Sequence, residues 1–314
     1  RSVAPGVIRE GRAVSIRNRK GPTKSFIMRK ERVTENIFVF QSEAYAQVTA
    51  GAILTEEGTV VIDTLPYPRE TREMIDFLRR ESKRGIRYVV NTHYHSDHVY
   101  GNFLFTEADI ISSERCREVL RKSGEKNLNL DKQQTPELAE VTLRLPNLTV
   151  PDHATLHLGD MVMRIIPLPG HSPDGIGVYV EGDKVLFAGD AVMALPYIFW
   201  GDREVLTQTL HQIREMNLEN IIQGHGDVLL KGEIEESLDN GIKYLDCIYE
   251  KVKAKIAVRA SKEKLGDITL ESCGGSPIAL DGLVRQLHKS NLLRVYQTLT
   301  AKNRAAAAAA SSAP

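Results

Sequence analysis

The stretch NTHYHSDHVYGN, residues 91–102, sets three histidines and an aspartate within six positions, directly after the apolar run IRYVV. Three further stretches share its grammar: IIPLPGHSPDG with His171, KVLFAGDAV with Asp190, and NIIQGHGD with His225. In each, an apolar strand carries the chain through the core and delivers an imidazole or carboxylate at its C-terminal end. Glycine then lets the backbone turn tightly beside whatever is bound. A fold that satisfies this chain has to gather those strand ends.

The spacing has a chemical meaning. Residues two apart in an extended segment point the same way, so His93, His95 and Asp97 fall on one side, and His98 aims at a second point if a helix starts there. One metal ion takes about three or four protein ligands. His93, His95, Asp97, His98, His171, Asp190 and His225 are too many for one ion and suit two that share a carboxylate. Imidazole with carboxylate and no thiolate suits zinc first, with iron or manganese as alternatives. Burying so many titratable groups together without a cation is costly. His153, His157, His211 and His288 stand outside these stretches and read as ordinary core or surface residues.

In their order along the chain, THYHSDH, PGHSPDG, FAGD and GHGD resemble the motif set of the metallo-β-lactamase superfamily, from about Asn36 to Ala257. The resemblance implies an α/β fold, the four-layer αββα sandwich. It also implies His93, His95 and His171 on a first ion, Asp97, His98 and His225 on a second, and Asp190 bridging. VVIDT matches the family's early aspartate motif at Asp63, a residue that buttresses the metal loop. By this likeness the chain is a dinuclear zinc hydrolase in which a metal-bridging hydroxide cleaves a lactone, thioester, β-lactam or phosphoester. Asp97 and Asp190 would be the catalytic carboxylates. The full ligand set resembles the broader hydrolase branch more than a dedicated antibiotic-resistance enzyme. Rival readings are a mononuclear iron persulfide-type dioxygenase, a nuclease of the same superfamily, and a non-catalytic protein that keeps metal for stability.

Around these motifs the pattern is strands in runs broken by amphipathic helices, which suits one αβ domain. Residues 1–35 form a basic arm, 36–260 the domain, 261–300 a helical extension packed on it as a helix pair, and 301–314 a low-complexity tail. Glu57-Gly58 and Gly182-Asp183 mark hairpin turns. The weakly patterned segment 124–150 reads as an insertion or flap, a lid over the site or an oligomer contact. The loop AVMALPYIFWGD offers Phe199 and Trp200 either as a substrate wall or as core packing. Ser172 is a candidate acceptor for a ligand histidine, and Tyr94 and Tyr197 are candidate oxyanion donors.

Lys plus Arg and Asp plus Glu balance at 41 each, which argues against a nucleic-acid partner, and the family resemblance implies a small-molecule substrate. No apolar stretch is long enough to cross a bilayer, so no membrane partner is expected, and a homo-oligomer stays open. Cys116, Cys247 and Cys273 show neither a disulfide framework nor a zinc-ribbon spacing, which fits a reducing, cytoplasmic location. The sequence begins at Arg1 rather than Met, which leaves room for a removed signal peptide.

Overall fold

The computed structural model describes residues 28–311, with side chains described as far as Arg304. Most of the basic arm and the last three residues of the tail lie outside them. The chain divides into two compact units, one ending at Ile165 and the other starting at Ile166.

The first unit is built on a seven-stranded sheet whose spatial order follows the sequence. Its strands are β1 (Arg29–Arg32), β2 (Ile37–Gln41), β3 (Thr49–Thr55), β4 (Gly58–Ile62), β5 (Ile86–Val90), β6 (Asp109–Ser113) and β7 (Leu148–Val150). Neighbours are antiparallel as far as β4 and parallel from β4 to β7. The change of direction follows from the connections: a two-residue turn at Glu56-Glu57 joins β3 to β4, whereas β4 reaches β5 through the helix α1 (Pro68–Glu81). Pro68 sits in the first turn of α1, where its missing N–H is harmless. Met74, Ile75 and Leu78 recur at helical spacing and bury against Val61, Val89 and Ile110 of the strands. An antiparallel hairpin, β8 (Ala154–Leu158) and β9 (Met161–Pro167), lies at the C-terminal end of this unit.

Segment 124–150 is not a loose flap. A helix α3 (Glu114–Val119) runs on through a π-turn at Leu120–Gly124 into α4 (Glu125–Lys132). Leu128, Leu138 and Val141 are buried with Val99, Tyr100 and Cys116 in a cluster of their own. The polar sequence hid this because only one apolar residue per turn faces that small core.

The second unit pairs β10 (Ile176–Val180), β11 (Val185–Met193), β12 (Asn220–His225) and β13 (Leu229–Leu230) in spatial order β13-β12-β11-β10. The parallel step from β11 to β12 is made by α5 (Arg203–Arg214), whose N-cap Asp202 accepts hydrogen bonds from the Glu204 and Val205 amides. Two long helices follow, α6 (Lys231–Ala257) and α7 (Val284–Ser311). In α6, Leu238, Leu245, Ile248 and Val252 form one apolar stripe, buried with Leu206 and Leu210 of α5 and Leu287 and Val295 of α7.

Two expectations need correction here. The C-terminal piece is not a helix pair: Leu280 and Asp281 take left-handed conformations (φ 49° and 54°) that break a short 3-10 turn from one long helix. That helix runs through the alanine tract to Ser311, because alanine has the highest intrinsic helix propensity. Cys247 of α6 and Cys273 are joined in a disulfide, and Cys116 is the buried free thiol. Their separation of 26 residues carries no motif, and only the tertiary fold brings the two Cα atoms to 5.5 Å. Cys273→Ser is predicted to lower folding stability by about 3 kcal/mol, since a loop of this length is released in the unfolded chain. Denaturant unfolding of both proteins measures this, and an unchanged midpoint would mean that the bond contributes nothing. Among the described residues, no helix is long and apolar enough to cross a membrane.

Candidate metal centre

In the first unit, β4 and β5 are parallel neighbours in register, with Ile62 opposite Val90, so their C-terminal ends leave the sheet side by side. This places Asp63 against the start of the histidine loop. Asp63 holds a left-handed conformation (φ 59°), and its amide donates to the Val90 carbonyl at 2.9 Å. Its Oδ1 accepts from the Thr92 amide at 2.8 Å, and its Oδ2 from the Thr92 hydroxyl at 2.8 Å and from His98 Nδ1 at 2.9 Å. The buttress implied for this aspartate is what the side chain does.

These contacts fix tautomers. The Thr92 hydroxyl proton is committed to Asp63, so its oxygen accepts from His93 Nδ1 at 3.0 Å. His93 therefore presents a lone pair at Nε2. His98 donates from Nδ1 to Asp63 and likewise presents Nε2. His93 Nε2 lies 2.9 Å from His95 Nδ1, a separation at which two ring nitrogens need a proton or a metal cation between them.

The loop departs from the purely extended reading directly after β5: residues 92–94 bend, and the four-residue helix α2 (Ser96–Val99) begins after an extended His95. His93 lies in the bend and His95 at its end, whereas Asp97 and His98 belong to the helix. Asp97 Oδ2 and His98 Nε2 are 3.9 Å apart. Sequence reasoning missed what closes the loop. Asn91 and Asn102, its first and last residues, are fully buried and exchange amide hydrogen bonds of 3.0 and 2.9 Å. Asn91 Nδ2 and the Thr64 hydroxyl also donate to the His98 carbonyl. Buried amides need such partners, and an Asn at each end of a ligand loop was the available signal. Beyond it, the buried Tyr100 phenol donates to Asp131 of α4 at 2.6 Å, and burial first, then that carboxylate, raise its pKa, so it stays protonated.

In the second unit, Gly170 (φ 128°) packs so closely on α5 that a Cβ would sit 2.3 Å from the Leu206 Cα, and this turn delivers His171. His171 Nδ1 donates to the Tyr197 carbonyl at 2.7 Å, leaving Nε2 as a lone pair. The acceptor role considered for Ser172 thus falls to a backbone carbonyl. Asp190 does not end its strand. β11 continues to Met193, and the register with β12 slips between Gly189 and Met193, so that Asp190 sits in a bulge. One oxygen, Oδ2, lies 3.2 Å from His171 Nε2 and 3.6 Å from His225 Nε2. The Asp190 oxygen and the His171 lone pair are two acceptors 3.2 Å apart, which need a proton or a cation between them. Phe199 and Trp200 are half-buried, stack edge-to-face at 4.7 Å, and pack against the helical core of this unit. Tyr94 lies edge-on to His95, its ring 4.6 Å away. His288 is a core residue, and His153, His157 and His211 are exposed.

Residues 45–229 match the model of the metallo-beta-lactamase superfamily. The chain belongs to that superfamily. Among its curated relatives, the beta-lactamase-like protein 2 homolog of Caenorhabditis elegans is 25% identical over 225 residues, covering 70% of this chain and 69% of that protein. The hydroxyacylglutathione hydrolase of Methylococcus capsulatus is 28% identical over 142 residues, covering 43% of this chain and 47% of the relative. The chain thus spans about half the length of such hydroxyacylglutathione hydrolases. A metallo-beta-lactamase structure from Pontibacter korlensis aligns with a TM-score of 0.57 at 18% identity, covering 68% of this chain and 98% of the other. At that identity the likeness establishes the fold alone, the α/β sandwich that the sequence motifs implied. With relatives that are named hydrolases, the chain is a metal-dependent hydrolase of this superfamily.

Proposed function

We propose that the chain is a dinuclear zinc hydrolase that cleaves a small ester-like substrate, with thioesters placed first. By the superfamily likeness, His93, His95 and His171 would hold one ion and Asp97, His98 and His225 the other, with Asp190 as a ligand shared by the pair. The observation that carries this reading is the single carboxylate oxygen of Asp190 set toward both His171 and His225. The donor chemistry fits: imidazoles with lone pairs aimed outward from fixed tautomers, carboxylates, and no thiolate. Divalent ions bound there supply Lewis acidity and lower the pKa of water toward neutrality.

The chain's own residues do the rest. Asp63 and Thr92 lock His93 and His98 in the ligating tautomer. Asp97, buried in the short helix α2, would take a proton from water and return it to the leaving group. The preference for thioesters comes from the hydroxyacylglutathione hydrolases among the relatives, which act on that bond.

Elemental analysis of the purified protein, run beside a panel of thioesters, lactones, β-lactams and phosphoesters, tests the reading. Two equivalents of metal and turnover of a thioester are expected, with no oxygen uptake. A chelator should abolish turnover and lower the melting temperature. Zinc held at about a thousand times its Kd stabilises the folded state by about 4 kcal/mol. A protein that neither carries nor takes up metal would refute the proposal.

A further inference from the structure

His171 owes its orientation to one peptide group, that between Tyr197 and Ile198. The carbonyl of this peptide accepts from His171 Nδ1 at 2.7 Å. Its N–H, on Ile198, donates to Asn291 Oδ1 at 2.9 Å. In a trans peptide the C=O and N–H point in opposite directions from one rigid plane. The ring of His171 and the side chain of Asn291 are therefore gripped on opposite edges of the same plate. Asn291 belongs to α7, outside the residues matched by the superfamily model.

The amide of Asn291 is itself fixed. Its Nδ2 donates to the Pro196 carbonyl at 2.7 Å and to the Tyr244 oxygen at 3.1 Å. The Tyr244 hydroxyl bonds His288 Nδ1 at 3.0 Å, and His288 Nε2 bonds the Ile268 carbonyl at 2.9 Å. A carbonyl can only accept, so His288 carries its proton on Nε2, and Tyr244 donates to Nδ1. Each donor in the chain from Asn291 to Ile268 thus has one acceptor, and Asn291 cannot flip without breaking three bonds. Asn291, Tyr244 and His288 are all buried. One turn along α7, on the same face, Arg294 donates to the Gly201 carbonyl through Nε at 3.2 Å and Nη2 at 2.7 Å. α7 therefore holds both ends of the loop that carries Tyr197.

We infer that Asn291 is a positioning residue for the metal centre, setting the ring of His171 through the 197–198 peptide. This rests on the dinuclear reading above. Hydrogen-bonded groups in series also polarise one another, so the Asn291 acceptor strengthens the carbonyl that bonds His171. Removing the partner of a metal-ligating histidine typically weakens metal binding ten- to a hundredfold.

The test compares zinc affinity, by competition with a chromophoric chelator, in wild type, Asn291→Leu, Asn291→Asp and Cys273→Ser. Asn291→Leu is expected to bind zinc about tenfold more weakly or worse, with an altered absorption spectrum in its cobalt form. Asn291→Asp keeps an acceptor for the Ile198 N–H but turns a carboxylate oxygen toward the Pro196 carbonyl, so it should recover only part of the loss. Cys273→Ser, a destabilised protein with an intact loop, should bind as wild type does. In wild type, the Ile198 amide and Asn291 Nδ2 resonances should shift when zinc is added, a readout that stands if the Leu variant does not fold. Equal affinity in wild type and Asn291→Leu, or resonances indifferent to zinc, overturns this inference and leaves the metal centre standing. Wild type that takes up no zinc overturns both.

Discussion

Replacing Asp190 with alanine should abolish retention of the metal pair and hydrolysis together, while the fold persists. The carboxylate is buried, and its Oδ2 faces His171 and His225 at 3.2 and 3.6 Å. Loss of a direct, shared ligand should exceed the ten- to hundredfold effect of losing an outer partner, so a drop in affinity on the order of a thousandfold is expected. That corresponds to about 4 kcal/mol. Stability in the presence of a chelator should fall as well, because the two imidazoles beside Asp190 then lose their buried carboxylate partner. Metal content, kcat/KM and metal-free melting temperature separate the two effects. Residual activity at wild-type level in Asp190→Ala would remove the shared-carboxylate mechanism.

Gly224→Ala should reach a similar end from the neighbouring strand. A Cβ on Gly224 would lie 1.9 Å from Asp190 Oδ1, 2.7 Å from the Gly189 carbonyl carbon and 2.8 Å from the Asp190 nitrogen. The carboxylate can swing away, but the two backbone atoms cannot yield without opening the bulge. A stability loss of about 1–3 kcal/mol is expected for such overpacking. Metal binding should fall further than that loss accounts for, because Asp190 is the group displaced. Gly232→Ala is the matched control, since nothing lies within 4 Å of its added Cβ. It should leave both metal content and melting temperature unchanged. Should the Gly224 variant keep its full metal complement, Asp190 is not constrained from that side.

The two variants touch what was hardest to read in the sequence. The run VLFAGDAVM is buried at every position, so it shows no alternation, and nothing in it announces that the strand continues past a bulge. The histidine loop was legible for the opposite reason: so many donors in so few positions have few structural uses. The β4–α1–β5 unit was legible through its switch from strand to helical period, and the apolar run 86–90 is β5, but α1 ends at Glu81, ahead of the glycine at 85 that reads as its stop. What stayed hidden depends on partners far along the chain. Asn91 and Asn102 look like loop residues until each is seen to satisfy the other. Cys247 and Cys273 look like spare thiols until α6 and the segment after it are packed. Asn291 sits in a helix whose apolar pattern gives no hint that its amide holds a peptide some 93 residues earlier.

The reciprocal amide pair at the two ends of the histidine loop has a kinetic consequence. A segment stapled at its own base keeps its shape in the empty protein. Capture of a cation there does not wait on chain ordering, unlike in small zinc modules that fold only around their ion. Uptake should then be governed by stripping water from the arriving ion, and exchange of one metal for another should leave the backbone amides of residues 91–102 equally slow to exchange with solvent.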